Sequence, residues 1–169
     1  MVVAVFFLYV SLAPAQTSPA PSISTKACGP DQVDFVVQTE TSPQGNSQPE
    51  PGKAIVFVIS QVWSPIKVGM DSGWAGAGNG HSYISFSVDP GEHHFCAEGK
   101  FFLGSKGKRI SLTSFVAEPG KTYFLRARLV PTWQADRKAS NRFDFELINP
   151  DQGQFLLESL PHSTSHPRK

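Results

Sequence analysis

Three times along this chain an acidic residue is followed by Pro-Gly and then by another charged residue: Glu50-Pro51-Gly52-Lys53, Asp89-Pro90-Gly91-Glu92 and Glu118-Pro119-Gly120-Lys121. Proline presets φ at the second position of a type II turn and glycine accepts the positive φ at the third, so each tetrapeptide signals a reversal. Each also opens onto a run with strand character. The intervals of 39 and 29 residues are unequal, which makes this recurring turn chemistry and not a solenoid repeat. Fourteen Gly and fourteen Pro in 169 residues exclude a helical bundle, and thirteen Phe favour strands.

The runs after the turns alternate. Ile84, Phe86 and Val88 oppose Tyr83, Ser85 and Ser87. Tyr123, Leu125, Ala127 and Leu129 oppose Thr122, Phe124, Arg126 and Arg128, while Phe143, Phe145 and Leu147 alternate with Asp144 and Glu146. Period-two patterns of this kind are half-buried antiparallel strands. Ala54–Ser60 (AIVFVIS) is apolar almost throughout and predicts a central strand covered on both faces. Asp71-Ser72-Gly73 and Gly78-Asn79-Gly80 read as turns around a short strand at Trp74–Ala77, and Gly91–Ala97 and Ser111–Ala117 complete the set. The expectation is an all-β fold, an antiparallel β-sandwich of seven or eight short strands. One short helix follows, with Asn149 as N-cap, Pro150 first, Phe155, Leu156 and Leu160 facing inward, and a stop at Pro161. The sandwich domain is expected over residues 28–160, with 161–169 as a disordered tail.

Val2–Val10 is an apolar run followed by Ser11-Leu12-Ala13-Pro14-Ala15, which fits an A-x-A cleavage site and predicts a signal peptide over residues 1–15. Residues 16–27, rich in Ser, Thr, Pro and Ala, read as a flexible spacer. A nine-residue run is too short to span a bilayer of about 30 Å as a helix, so no transmembrane span is expected. The expected location is secreted or periplasmic. In an exported chain the two cysteines, Cys28 and Cys96, are expected to pair as a structural disulfide. The bond would close a loop of about 69 residues, worth on the order of 4 kcal/mol on the chain-entropy model.

The order of the pieces Gly52-Lys53-Ala54-Ile55-Val56-Phe57-Val58, Val68-Gly69-Met70-Asp71-Ser72-Gly73-Trp74, Ser82-Tyr83, Asp89-Pro90-Gly91-Glu92-His93 and Glu118-Pro119-Gly120-Lys121-Thr122-Tyr123-Phe124 resembles the bacterial family catalogued as domain of unknown function 2846, over roughly residues 51–160. The segment around Cys28 and the Ser163–Pro167 ending resemble exported members of that family, and the Pro-Gly-Glu-His turn is similar to that of PEGA-type surface β-domains. The resemblance implies an extracytoplasmic β-sandwich with no established activity and no agreed catalytic residues. Some of its members look like lipoproteins; this chain has no cysteine directly after its apolar run.

Charged residues make up 17% of the chain and the net charge is +1, which argues against a nucleic-acid binder that works by neutralising phosphates. Gly76-Ala77-Gly78-Asn79-Gly80 precedes a strand pattern, not the helix that a phosphate loop requires, and reads as a hairpin loop. No Gly-x-Ser-x-Gly elbow and no C-x-x-C motif is present. His162 and His166 have ligand spacing only on a helix, which Pro161 and Pro167 oppose. His93 and His94 are neighbours on one strand and point to opposite faces, so they cannot chelate one ion; His93 is expected to cap its turn. Lys100–Arg109 mixes four basic residues with Phe101 and Phe102 and reads as a solvated hairpin loop.

These features predict a non-catalytic module of the cell envelope, with no metal and no cofactor. Its partner would be an envelope protein or a glycan, met by loops that carry Trp63, Trp74 and Trp133. The alternative is a small extracytoplasmic enzyme or metal-binding protein using His81, His93 and His94. It requires those three side chains to converge.

Overall fold

The structure, a computed structural model, describes residues 28–30, 33–40, 48–101, 108–133 and 139–169. The expected signal peptide, the whole of the expected spacer and residues 102–107 of the expected basic hairpin loop lie outside the described residues. Ten strands and one helix follow in the order β1 (Phe35–Glu40), β2 (Ala54–Ser60), β3 (Ile66–Met70), β4 (Gly73–Gly78), β5 (Ser82–Val88), β6 (Gly91–Lys100), β7 (Lys108–Ala117), β8 (Thr122–Trp133), β9 (Ala139–Ile148), α1 (Pro150–Glu158) and β10 (His162–Pro167). They form a six-stranded sheet, β1-β10-β5-β2-β8-β9, and a four-stranded sheet, β4-β3-β6-β7.

All seven residues of β2 are buried. Its alternate side chains enter two different clusters, as strand geometry requires. Ala54, Val56 and Val58 join Leu125 and Phe145 of their own sheet and Val68, Phe95 and Ala97 of the other in one core. Ile55, Phe57 and Ile59 join Tyr83 and Phe124 on the opposite face, where Leu156, Leu157 and Leu160 cover them. Burying an aliphatic or aromatic side chain of this size contributes about 1.5–3 kcal/mol, so both faces of β2 anchor the molecule.

Helix α1 begins as its sequence predicts: the Asn149 side chain accepts from the Gln152 N–H at 2.8 Å and Pro150 takes the first position. The inward face differs from expectation. Gly153 is seated against the Phe124 ring, so at 100° per residue the covered positions are 153, 156, 157 and 160. Phe155 therefore points away and is 72% exposed, and Leu157 packs in its place.

Two of the Pro-Gly tetrapeptides close as type II turns. Lys53 N–H bonds to Glu50 O at 3.0 Å and Lys121 N–H to Glu118 O at 3.2 Å, with φ of +79° at Gly52 and +73° at Gly120. They lie side by side, joined by Gly120 N–H to Lys53 O at 2.8 Å, and so start β2 and β8 in register. That pair is parallel, as is β10 with β5, which corrects the expectation of an antiparallel fold. The chain between β2 and β8 builds the four-stranded sheet before it returns, and parallel pairing needs a crossover of such length.

The expected disordered tail is instead the strand β10, paired with β1 over Phe35–Glu40 and touching β5 at Tyr83. Its polar sequence reads as solvated, yet Ser163 is only 1% exposed. The Ser163 hydroxyl donates to Ser82 Oγ at 2.8 Å and accepts from Asn79 N–H at 3.3 Å, and Ser165 Oγ accepts from Ala77 N–H at 2.9 Å. Buried hydroxyls are tolerated when bonded. These also tie the edge strand β4 to the six-stranded sheet, and Ser111 Oγ, accepting from Phe145 N–H at 3.1 Å, ties β7 to β9.

Candidate functional site

The strand directions sort the loops into two ends. The C-terminal ends of the parallel pair β2 and β8 lie together, with Gln61 N–H on Ala127 O at 2.8 Å. Trp63 follows β2 and Trp133 closes β8, so both occupy this end, and they are 88% and 80% exposed. The β4–β5 turn joins them, because His81 N–H bonds to Val62 O at 3.0 Å. The rings of Trp63 and His81 meet edge-on at 4.2 Å. A side chain at Gly80 would overlap the Trp63 carbonyl, so only glycine lets the two loops close. The backbone under Trp63 is therefore fixed while its indole faces solvent.

Trp74 belongs elsewhere. It lies near the start of β4, at the opposite end, where its indole N–H donates to Pro30 O at 2.6 Å and the Lys67 ammonium sits 4.3 Å from the ring centre. It clamps Cys28–Pro30 onto the outer face of the four-stranded sheet. Cys28 and Cys96 form the expected disulfide there. A side chain at Gly69 would strike the Cys28 carbonyl, which explains a glycine beneath the strap. The proposed three-tryptophan surface thus reduces to Trp63 and Trp133.

The three histidines do not converge. His81 precedes β5 whereas His93 and His94 follow it; seven residues of extended strand separate the two positions by roughly 23 Å. His93 caps its turn as expected, and more firmly than its sequence suggests. Its Nδ1 lies 2.7 Å from Asp71 Oδ2 and its Nε2 2.7 Å from Asp89 O. Asp71 Oδ1 also accepts the His94 N–H at 2.9 Å. Both ring nitrogens face acceptors, which selects the doubly protonated imidazolium. Burial by itself would depress His93, but the bonds to Asp89 and Asp71 outweigh it and its pKa is raised. Burial would raise Asp71; the bonds from His94 and His93 outweigh that and lower it. Asp71 reads in the sequence only as a turn residue, and nothing local reveals its partner 22 positions away. His162 sits on the Tyr83 ring at 5.0 Å, where burial lowers its pKa. Among the described residues no group of three or more His, Cys, Asp or Glu is placed to hold a metal.

Sequence reasoning missed a further feature. A cleft of about 440 Å³ opens between β1 and the rim of β3, β6 and β7. Glu98, 4% exposed, lies in its wall, with the Lys67 and Lys108 ammoniums 3.2 and 3.4 Å from the same oxygen, Oε1. Five separate strands line this site, Ala77 of β4 included, so no spacing along the chain announces it.

Among the described residues no helix is long and apolar enough to cross a membrane. No protein-family model matches the chain, and no curated protein matches it either.

Proposed function

We propose that this protein is a non-catalytic, extracytoplasmic β-sandwich module of the cell envelope that meets a glycan or protein partner through the end bearing Trp63 and Trp133. The observation that carries the reading is the pair of indoles standing in solvent at one end, one of them on a backbone locked by Val62–His81 and Gly80. Large apolar rings held rigidly in water are what interface anchors look like before binding, because little side-chain or loop freedom remains to be lost. The extracytoplasmic location is supported by the disulfide between two buried cysteines. The sandwich is supported by one core fed from both sheets, and its turn order resembles that of the domain of unknown function 2846 family.

The test is co-sedimentation with purified peptidoglycan, alongside cross-linking to envelope proteins in the native cell. Trp63→Ala and Trp133→Ala together should weaken retention by about tenfold or more, the scale of a lost aromatic anchor, with thermal stability unchanged. Retention that ignores both substitutions would overturn the reading. Intact mass of the exported protein should show loss of residues 1–15 and a two-proton deficit from the disulfide.

A further inference from the structure

The charges around the cleft do not balance. Among the described residues, Lys67, Lys100 and Lys108 line it against Asp34 and Glu98. Two of the three ammoniums converge on a single oxygen of Glu98, and that carboxylate is almost wholly withdrawn from water. One carboxylate cannot neutralise two ammoniums, and like charges drawn together in a partly dry wall repel. Lys67 is further committed, to Val33 O at 3.3 Å and the Trp74 ring, so it cannot swing out to relieve the repulsion. Lys108 is the more exposed of the pair and keeps donors free to turn toward the opening. Phe35 and Val37 of β1, with Ile66 beside Lys67, give the same cleft an apolar lining. A net single positive charge beside a hydrocarbon wall has a definite complement.

We propose that this cleft binds a small organic monoanion, a carboxylate carried on an apolar body. The charged end would lie on Lys108 and Lys67, and the ring or chain against Phe35 and Val37. The cleft adjoins the tryptophan end through Ser64 and Pro65, but Trp63 is not among the residues that line it, and the proposal does not rest on the module's proposed partner.

The test uses the oxidised protein with benzoate as probe and benzyl alcohol as its neutral counterpart, read by backbone amide shifts. Benzoate should shift residues of β1, β3 and β6 saturably, and benzyl alcohol should bind at least about fivefold more weakly, the scale of one lost partly screened ion pair. Lys108→Gln should weaken benzoate by a similar factor, and Glu98→Gln, which removes the competing carboxylate, should tighten it. Should Glu98→Gln fail to fold, Lys100→Gln on the exposed rim supplies a second weakening variant. Trp63→Ala should leave benzoate affinity unchanged. Equal binding of acid and alcohol, shifts confined to other surfaces, no saturable shift, or indifference to Lys108→Gln would each overturn the proposal.

Discussion

His93 is held by two acceptors that a neutral imidazole cannot both satisfy, so its proton belongs to the fold. The raised pKa means that its contribution is complete below its ordinary value of 6.5 and fades as pH rises through the folded value. Asp71 behaves oppositely: its contribution is complete above 3.8 and is lost as pH falls through its lowered folded value. The link between the β3–β4 and β5–β6 turns is therefore whole only in mildly acid solution, with the Asp89 carboxylate, Glu92 and the His94 ring as the other ionisable groups beside it. His93→Ala should cost about 1 kcal/mol in urea unfolding at pH 5.5, a modest figure because Asp71 is partly exposed and screened. The loss should be clearly smaller at pH 8.5; equal losses at both would contradict the assignment. Histidine titration by NMR should place His93 above 6.5 and His162 below it, since burial against Tyr83 outweighs the opposing carboxylate of Glu40, the cross-strand neighbour of His162.

At the level of elements, turns and alternation carried most of the fold. The three Pro-Gly signals, the two faces of β5 and β8, the doubly covered β2 and the Asn149 cap are all local patterns with local causes. β1 and β10 were illegible for one shared reason: each is held as a strand by partners far away in sequence, and the buried hydroxyl of Ser163 is satisfied from there too. Ser163 and Ser82 are 81 positions apart, and no window along the chain contains both. Ser163→Ala should accordingly cost about 1–3 kcal/mol by stranding bonded groups, a fall of several degrees in Tm; a loose tail would register nothing. Gly153→Ala offers a second check. Helix propensity alone favours alanine by about 1 kcal/mol, yet the added methyl would overlap the Phe124 ring. Overpacking of that kind costs about 1–3 kcal/mol, so calorimetry should show a net loss. The exposure of Trp63 was likewise legible, from its place near Pro65 in an expected loop, whereas Trp133 and Pro131, expected in a loop, belong to the strand β8, and the lysine-lined cleft needed five strands in place before it existed.

Across the whole molecule, the disulfide and the pairing of β1 with β10 hold the N-terminal segment from both sides. Cys28 is fixed to β6, and residues 35–40 are fixed to the last strand. Replacing both Cys28 and Cys96 by Ser should lower stability by about 2–4 kcal/mol, measured as a shift of the denaturant midpoint without a change of fold. The placement of β10 has a consequence in time as well as in space. The strand that seats β1 beside β5 is synthesised after all the other described strands, and β2 must wait some seventy residues for β8. Contacts of such range slow folding, because the loops must close before the contacts reward them. A nascent chain halted anywhere before residue 162 leaves the flank of β5 bare and β1 without its neighbour, so the six-stranded sheet is completed only after β10 has emerged.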